Sequence, residues 1–273
     1  MDLFAGTSTG AIIAAYLASG RMKSFDEIVN LYRDEGPKIF QRNVKREILS
    51  IFGLYKSRYN ADHLKSVLEN LFGDMRLGDL QKRVLIPAVD LGGDKWPYQV
   101  KFFDNFKGNS TDLDIPVVDV LLASTAAPSY FGAHKITYKS FGTREYVDGG
   151  LACNHPSVSA ICAALDVLGF DAEIQDVYCL HIATGFFPQS ATGWNERGKF
   201  GWISDAIELA TEQYSTTCYQ SEKLLRQRFQ CIGTSFGEKI DLDDPHGIAK
   251  IDRHWPNMSA MLTIANGYLA RHW

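Results

Sequence analysis

Two short stretches of this 273-residue chain carry residue types that can do chemistry together. Gly6-Thr7-Ser8-Thr9-Gly10 matches the pattern G-x-S-x-G, in which small neighbours let a serine sit on a strained strand-to-helix turn with its hydroxyl presented. The helix opening at such a turn aims its positive dipole end at the serine and favours negative charge developing there. Asp148-Gly149-Gly150 is the second stretch, a carboxylate followed by two glycines that let the backbone turn sharply. A serine hydroxyl needs a base to take its proton, and the chain offers two arrangements for it. Asp148 acting directly is one; a Ser-His-acid triad is the other, for which His246 or His254 comes late enough in the order Ser, Asp, His. Plain alternatives stand beside both: a Gly-rich turn with a surface serine, and an Asp-Gly-Gly turn no more special than Gly92-Gly93-Asp94. A phosphate-binding loop is discounted, because no Lys follows Gly10 and the glycine spacing fits neither the Walker nor the dinucleotide pattern.

The elements around these stretches suit the first reading. Leu3-Phe4-Ala5 reads as the end of a buried strand, and Ala11 to Ser19 is an Ala-rich helical run stopped by Gly20. Ser24 with Glu27 forms a capping box for a helix through Ile28, Leu31 and Tyr32 that ends before Pro37. Asn60 opens another helix carrying Leu64, Val67, Leu68 and Leu71. Val84 to Val89 and Tyr98 to Phe103 are strand-like and form an antiparallel arm, and Pro116 leads a helix toward Ser124. A second hairpin from Ile136 to Val147 delivers Asp148. Pro156 opens a helix to Leu168, and Val177 to Ile182 has the continuous apolar pattern of a central parallel strand. Residues 185–202 read as a loop, and Ser204 to Phe229 as one long amphipathic helix.

Bulk properties narrow the function. With 45% hydrophobic residues the chain can bury a large core, and a single α/β domain over 1–273 is expected, its motif-bearing part at about 1–185 and a helical part at about 203–273. A net charge of -4 argues against nucleic acid as a partner. Five cysteines, scattered without C-x-x-C spacing, provide neither a disulfide framework nor a zinc knuckle. No signal pattern and no bilayer-spanning apolar run is read, so a cytoplasmic protein is expected, one still able to touch membranes peripherally.

Asp2 to Gly10, Ser124-Thr125-Ala126-Ala127-Pro128-Ser129-Tyr130-Phe131, and Val147-Asp148-Gly149-Gly150-Leu151 with Asn154 and Pro156 agree in order and spacing with one family. On these motifs the chain resembles the patatin-like phospholipases over most of its first 185 residues. The resemblance implies a three-layer α/β/α fold with a central, mostly parallel sheet. It also implies a Ser-Asp dyad without histidine: Ser8 as nucleophile, Asp148 as proton acceptor, Gly6, Thr7, Thr9 and Gly10 shaping the elbow, and Gly149 and Gly150 the acid turn. No metal and no cofactor is implied. The implied substrate is a lipid ester; the head group and the acyl position cleaved are not readable. Phe186, Phe187, Trp194 and Trp202 read either as an acyl-binding or membrane-contact surface or as core packing.

Family members carry an upstream strand and a Gly-rich turn whose N–H groups form the oxyanion hole, and this sequence starts at Met1, after that segment. Losing one such donor typically slows turnover about 100- to 1000-fold. The Thr9 N–H is left as one donor. A longer natural protein is the expected explanation, and a catalytically impaired lipid-binding or regulatory homologue is the alternative.

Overall fold

The computed structural model describes residues 3–39, 59–92, 97–106, 111–168, 173–183 and 214–233. His246, His254, Phe186, Phe187, Trp194 and Trp202 lie outside the described residues. The chain divides into two compact units, one built on Met1–Ala160 and one on Ile161–Glu208 with Tyr214–Trp273, residues 209–213 joining the first. Both the Ser8 and the Asp148 motifs fall in the first unit.

In the first unit the chain runs β1 (Leu3–Ala5), α1 (Thr9–Ala18), α2 (Phe25–Ile39), α3 (Asp62–Phe72), β2 (Arg83–Asp90) and β3 (Gln99–Asp104). It continues through α4 (Val117–Ser124), β4 (His134–Tyr138), β5 (Gly142–Asp148) and α5 (Gly150–Cys153), and α6 (Ser157–Leu168) crosses into the second unit. The α/β class read from the sequence is the class the chain adopts. Its sheet is mixed. β1 and β2, joined by a helical crossover, run parallel, and the hairpin strands bring the antiparallel pairings β2–β3, β2–β5 and β4–β5.

β2 is the organising strand. Val84 to Ala88 are all buried, the pattern of a strand covered on both faces. β3 follows one edge from Leu85 to Asp90, while β1 and β5 divide the other: β1 pairs at Arg83 to Leu85 and β5 at Ala88 to Asp90. Between them the ladder has a notch at Pro87. A proline lacks the N–H that a central ladder requires, and here the position facing β1 and β5 has no strand beside it to receive one. The register of β5 is held by a buried ion pair, Arg144 Nη2 and Nε donating to Asp90 Oδ2 at 2.6 and 3.0 Å.

The core forms where α1, α3 and α4 cover this sheet. Ala11, Ala15 and Ala18 let α1 approach closely, Leu68 and Phe72 fill the space from α3, and Val120 and Leu121 from α4. Full burial of a side chain such as Leu68 or Phe72 stabilises by roughly 1.5–3 kcal/mol. α1 ends at Ala18 just before Gly20, as its sequence predicts. α2 does not stop before Pro37 but runs to Ile39. Proline crowds the Cβ of the residue before it, and that residue is Gly36, so this part of the penalty is absent, and Pro37 stands only two residues from the end of the helix. Glu27 also departs from a simple capping box: its Oε2 accepts from the Lys23 N–H at 3.2 Å and from the Tyr16 hydroxyl at 2.8 Å.

In the second unit, β6 (Cys179–Ile182) pairs in parallel with β7 (Phe229–Ile232), and α7 (Tyr214–Leu225) packs against β7. Of the long helix read from Ser204 to Phe229, residues 204–213 lie outside the described residues, as does the loop read at 185–202, and the described part ends at Leu225. Arg226 turns into positive φ at 53°, a short helical turn follows, and Phe229-Gln230-Cys231-Ile232 is a strand. Apolar spacing carried the helical pattern through this segment because four residues are too few for alternation to declare itself. No helix among the described residues is long and apolar enough to cross a membrane.

Candidate active site

Ser8 sits between β1 and α1 with φ 54° and ψ -122°. Only a few non-glycine residues adopt positive φ, and the strain is held by the contacts around the turn. Gly6 makes the turn possible. A Cβ on Gly6 would stand 2.1 Å from the Gly10 carbonyl oxygen, so the backbone at the two ends of the motif is in direct contact. The Gly6 N–H continues the β1 pairing by donating to the Leu85 carbonyl at 3.2 Å, and Gly10 and Ala11 N–H donate to the Thr7 and Ser8 carbonyls at 2.8 and 2.9 Å. Thr7 ties the elbow to α5 through Oγ1, which donates to the Cys153 carbonyl at 2.7 Å. Tyr32 of α2 donates its hydroxyl to the Thr9 carbonyl at 2.7 Å, and its burial raises the phenol's pKa.

Asp148 ends β5 opposite Ala88. Ser8 ends its turn beside the same strand, and the Ser8 hydroxyl donates to Asp148 Oδ2 at 2.6 Å across 140 residues of sequence. The other carboxylate oxygen, Oδ1, accepts from the Gly150 N–H at 2.7 Å, which is how the second glycine stretch orients the acid. Gly149 must be glycine: a Cβ there would lie 2.2 Å from the Pro87 carbonyl oxygen, inside the notch of β2. Asp148 is 6% exposed, and burial pushes its pKa up to about 6, against the smaller lowering effects of the Ser8 and Gly150 hydrogen bonds. A carboxyl group so placed is largely ionised at neutral pH yet basic enough to accept a proton. The structure thus brings together the two residues singled out by motif, and among the described residues Asp148 is the acceptor that faces the Ser8 hydroxyl.

One residue of the site is not announced by either motif. Ser124, the last residue of α4 and fully buried, accepts from the Ser8 N–H at 3.1 Å and donates to the Pro87 carbonyl at 2.7 Å. A single hydroxyl therefore joins the elbow to the notch. The same helix end clamps the acid turn: the Asp148 N–H donates to the Ala126 carbonyl at 3.0 Å and the Gly149 N–H to the Ser124 carbonyl at 3.4 Å. In sequence, Ser124 to Pro128 announces only that a helix stops. A cavity of about 250 Å³ bounded by Tyr59, Leu64, Leu122, Ala126 and Phe131 shares Ala126 with this clamp.

Comparison with known proteins agrees with the geometry. The family model described as Patatin-like phospholipase matches residues 1–161. The chain is 34% identical over 190 residues to the cGAMP-activated phospholipase of Escherichia coli (strain TW11681), covering 67% of this chain and 50% of that protein. It is 29% identical over 259 residues to the cGAMP-activated phospholipase of Pseudomonas aeruginosa (strain BWHPSA011 / Pa011), covering 92% and 72%. Patatin-like protein 1 of Oryza sativa subsp. indica is 31% identical over 171 residues, covering 59% and 40%. The chain thus spans about half the length of the Escherichia coli protein and less of the rice one.

Proposed function

This chain belongs to the patatin-like phospholipase family, and from that membership we propose that it is a lipid acyl hydrolase of the phospholipase A type working through Ser8 and Asp148. One observation carries the reading: the 2.6 Å hydrogen bond from the Ser8 hydroxyl to a buried carboxylate whose pKa burial has raised to about 6.

The reaction assigned to the pair has two halves. Ser8 Oγ attacks the ester carbonyl carbon while Asp148 takes the hydroxyl proton, and the tetrahedral intermediate collapses to an acyl-serine as that proton passes to the leaving alcohol. Water then gives a proton to Asp148 and attacks the acyl carbon; the fatty acid departs and Ser8 recovers its proton. The Thr9 N–H, at the start of α1, is assigned as one donor to the oxyanion, helped by the helix dipole. A phospholipid as substrate is supported by the names of the two bacterial relatives.

The test is hydrolysis profiling of mixed phospholipid, galactolipid and neutral lipid vesicles by the wild type beside Ser8→Ala and Asp148→Asn, with a fluorophosphonate probe run in parallel. Turnover by the wild type, lost in both variants, and probe labelling at Ser8 are the expected results. A folded wild type that binds lipid without labelling or turnover would instead make it a lipid-binding module. Activity that survives Asp148→Asn but disappears on changing His246 or His254 would make it a histidine-dependent esterase.

A further inference from the structure

The second unit contains a cluster that the hydrolase reading does not use. β6 and β7 pair in parallel with His181 directly opposite Cys231, and residues in register on neighbouring strands point to the same face. α7 packs against β7, and Cys218 on that helix brings its Sγ within 3.4 Å of Cys231 Sγ. One ring nitrogen of His181 and the two sulfurs all lie within 4.8 Å of one another. His181 is 7% exposed, and both cysteines are half-buried.

We propose that His181, Cys218 and Cys231 form a binding site for a soft divalent cation of the Zn²⁺ class.

The distance between the two sulfurs is close to what a metal asks for. With Zn–S near 2.3 Å and Zn–N near 2.0–2.1 Å, a tetrahedral ion separates two thiolate sulfurs by about 3.8 Å and sulfur from nitrogen by about 3.6 Å. The 3.4 Å between the sulfurs is close to the first of these and far from the roughly 2.05 Å of a covalent disulfide. The donor chemistry agrees: two thiolates and an imidazole select Zn²⁺ over Mg²⁺ or Ca²⁺, which take oxygen ligands. Binding releases the two thiol protons and leaves the imidazole neutral, so a doubly charged ion is balanced by two thiolates.

Position explains what the ion would do. The three ligands come from β6, α7 and β7, so a single ion ties together every element that makes this small sheet. Among the described residues the buried apolar cluster of the unit is only Ile161, Val177 and Leu225. A modest core is where a structural metal adds most, because the binding energy becomes folding energy.

The experiment uses the full chain, reduced, stripped with chelator and divided. Cysteine alkylation is followed residue by residue by mass spectrometry with and without Zn²⁺, and exposed Cys162 serves as the internal control. Zn²⁺ is expected to slow alkylation of Cys218 and Cys231 by roughly tenfold or more while leaving Cys162 unchanged. Co²⁺ in place of Zn²⁺ is expected to show near-ultraviolet thiolate-to-metal absorption that Cys231→Ser weakens and His181→Asn shifts. The wild-type alkylation alone decides the matter if a variant fails to fold. Equal alkylation with and without Zn²⁺ overturns the site. So does recovery of Cys218 and Cys231, after removal of reductant in the presence of Zn²⁺, as a disulfide-linked pair.

Discussion

Gly6 and Gly10 are in backbone contact across the Ser8 turn, so close that a methyl group on the first would stand 2.1 Å from the carbonyl oxygen of the second. The reverse does not hold, since a Cβ on Gly10 has nothing within 4 Å. The two motif glycines should therefore behave oppositely. Gly6→Ala is expected to destabilise by about 3 kcal/mol or more, because the obstacle is backbone that cannot swing away. Gly10→Ala, at the second position of α1, should be neutral or stabilising by about 0.5–1 kcal/mol. Urea unfolding of the two variants measures both; equal losses would mean the elbow is not packed as described.

The buried carboxyl of Asp148 sets a pH dependence of both activity and stability. In the proposed mechanism the ionised form is the base, so kcat/KM on a soluble ester should rise to a plateau with an apparent pKa near 6. Stability should move the other way. The folded-state pKa is raised above the unfolded value of 3.8, so between about pH 4 and 6 the folded chain binds more protons and its stability falls as pH rises. The contribution is on the order of 3 kcal/mol. Denaturant melts at both ends of that window should show Asp148→Asn gaining on the wild type at the upper end, with no turnover at either.

Ser124 should matter to the geometry of the nucleophile without touching substrate. Ser124→Ala leaves the Pro87 carbonyl and the Ser8 N–H without this hydroxyl, a loss of about 1–3 kcal/mol. A positioning role predicts a fall in the rate of fluorophosphonate labelling at Ser8 in protein that is still folded by circular dichroism. Labelling at the wild-type rate would reduce Ser124 to a stability residue.

Arg144 and Asp90 are 9% and 4% exposed, and removing one partner strands the other. Arg144→Met should cost about 3–5 kcal/mol. Because the pair holds β5 in register on β2, Asp90→Asn with Arg144→Met together should recover part of the loss. A double variant no better than the worse single one would show that the ion pair acts by something other than the mutual neutralisation of two buried charges.

Much of this was readable because the two motifs encode their own backbone. Ser8 with flanking glycines specifies a turn, and Asp148 with Gly149 and Gly150 specifies the acid's approach, so each half could be found locally. Their meeting could not be derived from either half, and family resemblance supplied it. What escaped depends on partners far away in sequence. Ser124 reads as a helix end, and its work is visible only when Pro87 and Ser8 stand on either side of it. Pro37 reads as a helix stop until Gly36 is weighed with it. His181, Cys218 and Cys231 follow no metal-binding spacing, because their contact comes from strand register and helix packing.

The notch at Pro87 has a consequence for how the protein comes to life. Ser8 and Asp148 are brought together as β1 and β5 dock separately on β2, one on each side of its unpaired stretch, and contacts of such long sequence separation are slow to form. An incompletely folded or newly made chain, even with its helices and hairpins in place, would hold an ordinary alcohol and an ordinary acid. The reactive pairing of the two groups therefore depends on the completed sheet and not on either motif alone.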